Sequence, residues 1–312
     1  MTTAPSSARP GIPTPTPPPA RRRDVVHRRP ARVWWRQTGW RHLVGAAVVV
    51  FSVFPLVYVL SASLSSGGTL ITANSLFSEI SLDSYVELFD RPQQPYAAWF
   101  GNTLFIGLTA SAGSVLLGAL AAYAFSRMRF TGRRIGLISL LLVQMFPQLL
   151  AMVAIFLLML TIGDVFPAIG VNSQVGLIFV YLGGALGVNT YLMYGFFNTI
   201  PTSIDEAARI DGAGHARIFF TIILPLVSPI LAVVALLSFI ATTNDFVIAS
   251  VLLIDPEKQT LAVGLYQFVS QETSQNWSLF SAGAVLASVI PVALFLALQK
   301  YIVGGLTSGS VK

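Results

Sequence analysis

Residues 200–215 read Ile200-Pro-Thr-Ser-Ile-Asp-Glu-Ala-Ala-Arg-Ile-Asp-Gly-Ala-Gly-His215, a polar island between two apolar runs at about 175–197 and 222–249. Its borders decide the fold class. Apolar runs also occupy 43–62, 102–125, 136–160 and 279–302. Each is long enough to cross about 30 Å of hydrocarbon as a helix. Lipid offers no partner to an exposed peptide group, so a spanning segment must satisfy its own backbone. The fold class is therefore all-α, a polytopic membrane domain of six spans over 43–304.

Composition agrees. Hydrophobic residues make up 54% of the 312 residues and charged ones 10%, against about 25% charged in soluble domains. Absence of cysteine removes disulfides and thiolate chemistry, and His27, His42 and His215 are scattered, so no metal site is expected. The net charge of +6 could suggest nucleic acid, but the positions of the cations point to topology instead. With the amino terminus inside, 17 of the 19 Lys and Arg residues fall on the inner side, and Arg91 and Lys258 alone fall outside. That is the asymmetry that sets orientation in membranes. Both termini and the 200–225 loop are then cytoplasmic.

Residues 1–42 hold eight of the 18 prolines and nine of the 19 cations, and read as a disordered cytoplasmic tail. A lipid-binding arm using Arg21, Arg22, Arg23, Arg28 and Arg29 is the other reading. Leu43–Ala62 is too long for a signal-peptide core and reads as an uncleaved first span. Trp34, Trp35, Trp40, Trp99 and Trp277 all sit at span starts, as interfacial anchors do. Pro55, Pro147, Pro229 and Pro291 fall inside spans and should bend them. Gly183 and Gly187 are expected to permit close helix contact.

Within the island, Ser203 and Glu206 have capping-box spacing. Ile204, Ala207 and Ala208 fall on one small apolar face, with Asp205, Glu206 and Arg209 off it. Gly212 or Gly214 can supply a left-handed stop. A second helical stretch leads through Ile222, Leu224 and Pro225 into the fifth span, so a push on the short helix reaches the membrane.

Glu206-Ala207-Ala208, three residues, Gly212, nine residues, then Ile222, Leu224 and Pro225 resembles the EAA loop of ABC-type importer permeases at every signature position. Tyr123-Ala-Phe-Ser-Arg-Met-Arg-Phe130, Gln144-Met-Phe-Pro147, Ile178-Phe-Val-Tyr-Leu-Gly-Gly184, Leu261-Ala-Val-Gly264 and Gly305-Leu-Thr-Ser-Gly-Ser-Val-Lys312 extend the likeness from about residue 40 to the carboxyl end. They resemble most the smaller permease subunit of maltose-type importers; the proline-rich tail does not. The resemblance implies a type I permease paired with a larger homologous permease, an ATPase dimer that binds ATP and Mg, and an extracytoplasmic sugar-binding protein. It implies that Glu206, Ala207, Ala208, Gly212, Leu224 and Pro225 couple to the ATPase. It places Gly309, Ser310, Val311 and Lys312 of the 305–312 tail at the ATPase interface. The outer loop Asp255–Trp277, with Gln271, Glu272, Gln275 and Asn276, would enter the binding protein's cleft, whereas a solvated loop is the plain reading. Maltose or maltodextrin is the first expectation, trehalose or another oligosaccharide the next.

Asn244 and Asp245 interrupt the fifth span, where a carboxylate costs about 2.5 to 3.5 kcal/mol on insertion scales. With Gln144, Asn189 and Tyr191 they are candidates for a translocation path or gate, or else wet interfacial residues and interhelical hydrogen bonds. In the resembled family the sugar site lies mainly in the larger permease. The chain lacks G-x-x-x-x-G-K-[ST], H-E-x-x-H and G-x-S-x-G, so no enzymatic role and no cofactor of its own are expected. An ion-gradient transporter, which needs buried ion-binding carboxylates, and a non-transporting assembly subunit are the rival classes.

Overall fold

The computed structural model describes residues 35, 39–66, 68, 76–77, 80–270 and 275–308, and among them there are helices and no strand. Of the 1–42 tail, all but Trp35 and 39–42 lies outside the described residues. The helices are α1 (Trp40–Ser63), α2 (Asp83–Glu87), α3 (Tyr96–Arg127), α4 (Arg133–Gln144), α5 (Gln148–Val165), α6 (Gln174–Ala185) and α7 (Val188–Phe197). They continue as α8 (Thr202–Ile210), α9 (His215–Leu226), α10 (Ser228–Thr243), α11 (Val247–Leu252), α12 (Leu261–Ser270) and α13 (Trp277–Ser308). The chain divides into two units, Met1–Val53 and Phe54–Lys312, with the division inside α1.

Among the described residues, three helices, α1, α3 and α13, are long and apolar enough to cross a membrane unaided. Three more crossings are possible only as bent pairs: α4 with α5 at 99°, α6 with α7 at 52°, and α9 with α10 at 80°. The expected runs at 136–160, 175–197 and 222–249 are thus broken. Each break has a local cause. Pro147 is the residue before α5, and the residue ahead of a proline is driven out of helical geometry. Gly187 precedes α7, and a Cβ there would lie on the side chain of Gln144. Val227 ends α9 and Pro229 sits in the first turn of α10, where its missing N–H leaves no bond unmade. Pro55 and Pro291 lie inside α1 and α13.

Within the second unit, α3 runs past three apolar clusters in turn. Tyr96 and Trp99 pack with Leu261, Leu265, Phe268 and Leu279. Ile106 and Ala110 meet Met159, Leu177, Ile248 and Leu252. Ala119, Ala122 and Tyr123 meet Met193, Phe197, Ala208, Phe219, Ile223 and Val234. Small residues on α3 let its neighbours approach closely, as in other membrane helix contacts.

One tryptophan departs from the interfacial expectation. Trp99 is fully buried because α12 folds over it, and its indole N–H donates to the Pro256 carbonyl at 2.7 Å. Trp277 is half-buried with its ring edge against Phe280. Trp35 and Trp40 are exposed. Of the glycine pair, Gly187 makes the close contact, whereas nothing lies within 4 Å of a Cβ placed at Gly183.

Candidate functional site

The 200–225 island folds as a helix, a stop and a second helix. Pro201 precedes α8, its φ preset near −58°, and its carbonyl accepts the Ile204 N–H. No side chain caps α8, so the Ser203–Glu206 capping box does not form. The helix starts one residue before Ser203, which stands exposed in its first turn.

The inward face also differs from the sequence expectation. Asp205 and Ala208 are buried and Ile204 is half-buried, while Ser203, Glu206, Ala207 and Ile210 point outward. Ala207 therefore sides with Glu206. Asp205 turns in because Arg127, at the end of α3, meets it: Nε and Oδ2 are 3.0 Å apart and both side chains are 4% exposed. The Arg127 Nη2 also donates to the Ile200 carbonyl at 2.8 Å. The outward face carries Ile210 at 87% exposure beside the Glu206 carboxylate. An isoleucine so exposed next to a charge is suited to an apolar pocket with a polar rim.

Gly212, at φ +79°, ends α8. Its N–H donates to the Arg209 carbonyl at 3.0 Å and the Ala213 N–H donates to that of Ala208 at 2.9 Å. These two bonds define a Schellman stop, which needs the left-handed residue that glycine adopts without a Cβ penalty. Gly214 has an ordinary negative φ. Beyond it, α9 contains a π-helical turn, Ile218–Ile223. Ile222 and Leu224 pack toward the Ala208 cluster and Pro225 is exposed.

Further along, a cavity of about 1050 Å³ is lined by Gln144, Asn189 and Asp245 together with Tyr181 and Ser238. The Asn189 amide donates to the Ser238 hydroxyl at 2.9 Å, and the Gln144 amide donates to the Gly184 carbonyl. Asp245 Oδ1 accepts the Tyr181 hydroxyl at 3.1 Å and the backbone N–H groups of Ile248 and Ala249 at 3.0 and 3.1 Å. Those donors satisfy the half-buried carboxylate, and Asp245, just ahead of α11, bonds the helix's first free amides. Asn244 does not line this cavity; it is exposed at the end of α10. Tyr191 is exposed as well, beside Tyr194. The sequence singles out neither Tyr181 nor Ser238 as a site residue; Arg127 and Tyr181 stand within the segments 123–130 and 178–184, and Asp205 is expected off the apolar face rather than buried.

Gln271 and Glu272 lie outside the described residues, as do Gly309, Ser310, Val311 and Lys312. Gln275 is exposed, and the Asn276 Oδ1 accepts the Leu279 N–H at 3.0 Å, capping α13. Nearby, Asn172 accepts the N–H groups of Ile254 and Asp255 and donates to the Asp255 carboxylate. That hydrogen bond, with Lys258 behind it, holds the Asp255 carboxyl below its usual range.

Comparison with known proteins places this architecture. Residues 114–307 match the family described as binding-protein-dependent transport system inner membrane component. The galactooligosaccharides transport system permease protein of Bacillus subtilis is 42% identical over 87% of this chain and 94% of its own. The maltodextrin transport system permease protein of the same organism is 42% identical over 83% and 91%, and the maltose/maltodextrin permease protein of Escherichia coli is 38% identical over 87% and 94%. Among solved structures, a chain of a bacterial ABC transporter involved in the import of the acidic polysaccharide alginate superposes with a TM-score of 0.69 at 27% identity. That match covers 86% of this chain and 97% of the other. The chain belongs to the binding-protein-dependent transport system inner membrane component family, as a multi-pass permease subunit of the ABC importer type.

Proposed function

We propose that this chain is the smaller permease of an ATP-driven, binding-protein-dependent sugar importer of a bacterial plasma membrane, with neutral maltodextrin-like oligosaccharides as its cargo. The names of the relatives that transport maltodextrin, maltose and galactooligosaccharides support that class. The three long helices and three bent pairs form six spans, with both termini and α8 on the cytoplasmic side. The charge asymmetry of the loops supports this orientation.

The observation that carries the mechanism is the two-faced α8. Its inner face is fixed by Arg127 and the Ala208 cluster, whereas Glu206, Ala207 and Ile210 stand free for a partner. In this reading they seat in an ATPase subunit, Gly309–Lys312 reach the same subunit, and Gly212, Leu224 and Pro225 set how α8 joins the membrane. ATP and Mg bind the ATPase dimer, and this chain holds no cofactor. ATPase closure moves α8 and switches access across a path shared with a larger permease. Gln144, Asn189 and Asp245 border this chain's side of it, with Asn244 at its margin. The 255–277 loop, with Gln271, Glu272, Gln275 and Asn276, meets the extracytoplasmic binding protein.

The test is uptake of labelled maltodextrin into proteoliposomes holding both permeases, with the binding protein supplied and the ATPase present or omitted. Uptake only with ATPase and ATP is expected. Sugar-dependent uptake that persists without the ATPase would overturn the proposal and favour an ion-driven carrier.

A further inference from the structure

The Arg127–Asp205 contact joins two elements that are far apart in sequence, and nothing about a docking surface requires it. An aspartate on the outward face would stay hydrated; this one is buried against a single guanidinium. A buried carboxylate is costly unless paired, so separating the two partners is opposed and they tend to move together. Neither the Arg127 Nε nor the Asp205 oxygens make a well-aligned hydrogen bond, so the contact is held by charge at 3.0 Å and by the second anchor, Arg127 Nη2 on the Ile200 carbonyl. Arg127 thus grips both the entry of α8 and its inner face.

The covalent route out of α8 is less direct. It turns at Gly212, passes a π-helical turn at Ile218–Ile223 and bends by 80° at Val227 before reaching α10. By contrast, Arg127 ends a single unbroken helix of 32 residues, α3, about 48 Å long at 1.5 Å per residue. Its far end is tied down as well: the Trp99 indole donates to Pro256, and the Thr103 hydroxyl accepts the Leu261 N–H at 2.8 Å.

We infer that Arg127 and Asp205 form a charge-held strut that carries displacement of the coupling helix α8 directly into α3, in parallel with the route through α9. The inference rests on the coupling role proposed above. Both are positioning residues, since they act through α3 and α8 rather than on ATP or sugar. The strut explains why Asp205 faces inward while its neighbour Glu206 remains available to the ATPase.

The experiment compares Asp205→Asn, Arg127→Gln and the double variant in the reconstituted transporter, measuring binding-protein-stimulated ATP hydrolysis and maltodextrin uptake together. The expected result is hydrolysis within about twofold of the parent, because the docking face is intact, with uptake per ATP reduced at least fivefold. The double variant should lose no more than the worse single one, since it leaves no unpaired buried charge. A wild-type ratio of uptake to ATP in any assembled variant overturns the strut. Parallel loss of assembly, hydrolysis and uptake in all three, the double included, assigns the pair to folding alone and also overturns it. If the parent itself shows no ATP-dependent uptake, the coupling reading has failed instead.

Discussion

The loop at residues 201–227 and the cavity around Asp245 both place acidic side chains at helix starts, yet they use them in opposite ways. Asp245 caps α11 through neighbours three and four residues on, with Tyr181 as a third donor, so its carboxylate is satisfied almost where it stands. Asp205 lies in the first turn of α8 but turns away from the amides, toward Arg127 on another helix. The first arrangement fixes a local bend. The second ties a short, half-exposed helix to the end of α3, which is 32 residues long. A carboxylate's function in such a protein therefore depends on which element supplies its donors, not on its position within a helix.

Substitutions can break this contrast in graded fashion. Arg127→Ala leaves Asp205 buried and unpaired, and should cost about 3 to 5 kcal/mol in thermal or denaturant unfolding. Next, Gly212→Val forces a β-branched residue into left-handed geometry and should cost at least about 1 to 2 kcal/mol, with coupled uptake lost in vesicles. Asp245→Ala removes the α11 cap at about 1 kcal/mol, whereas Asp245→Asn, itself a capping residue, should restore most of it in the same unfolding measurement. Smaller still is the effect of Ile210→Asp on folding, within about 0.5 kcal/mol for an exposed site; pull-down of the ATPase should nonetheless fail. Stability and transport then rank these sites in different orders, as separate inner and outer faces of α8 require.

The smallest effect expected is at Asp255. Hydrogen bonding from Asn172, then Lys258, lowers its folded-state carboxyl below the unfolded value. Its contribution is present above the usual carboxylate range and is lost as pH falls through the lowered value. Protection of the Ile254 and Asp255 amides, corrected for the intrinsic exchange rate, should fall on acidification, and Asn172→Ala should move the Asp255 carboxyl's own titration, followed by its chemical shift, to higher pH.

Much of this arrangement was legible along the chain because it depends on near neighbours. Hydropathy marked the six apolar runs, and Gly212 was a readable stop because a Schellman turn closes within six residues. What escaped depends on distant partners or on direction. Proline marked the breaks at Pro147 and beside Pro229, but hydropathy is blind to the one at Gly187, since a broken run is as apolar as a straight one. Trp99 looked like an interfacial ring until α12, arriving far downstream, covered it. The apolar face of α8 was drawn through Ile204, Ala207 and Ala208, but Arg127 rotates the buried side onto Asp205 and leaves Ala207 outside. Gln144, Asn189 and Asp245 were recognisable as polar groups in spans; that they border one cavity follows from helix packing alone.

The most direct measurement is the ratio of maltodextrin imported to ATP hydrolysed by reconstituted transporter in which Glu206 is replaced by a bulky residue, Glu206→Trp, with insertion of the chain verified. Glu206 is exposed on α8, so the protein should insert normally while uptake or binding-protein-stimulated hydrolysis is abolished. Normal coupled transport by that variant would contradict the assignment of α8 as the element through which ATPase closure enters the membrane.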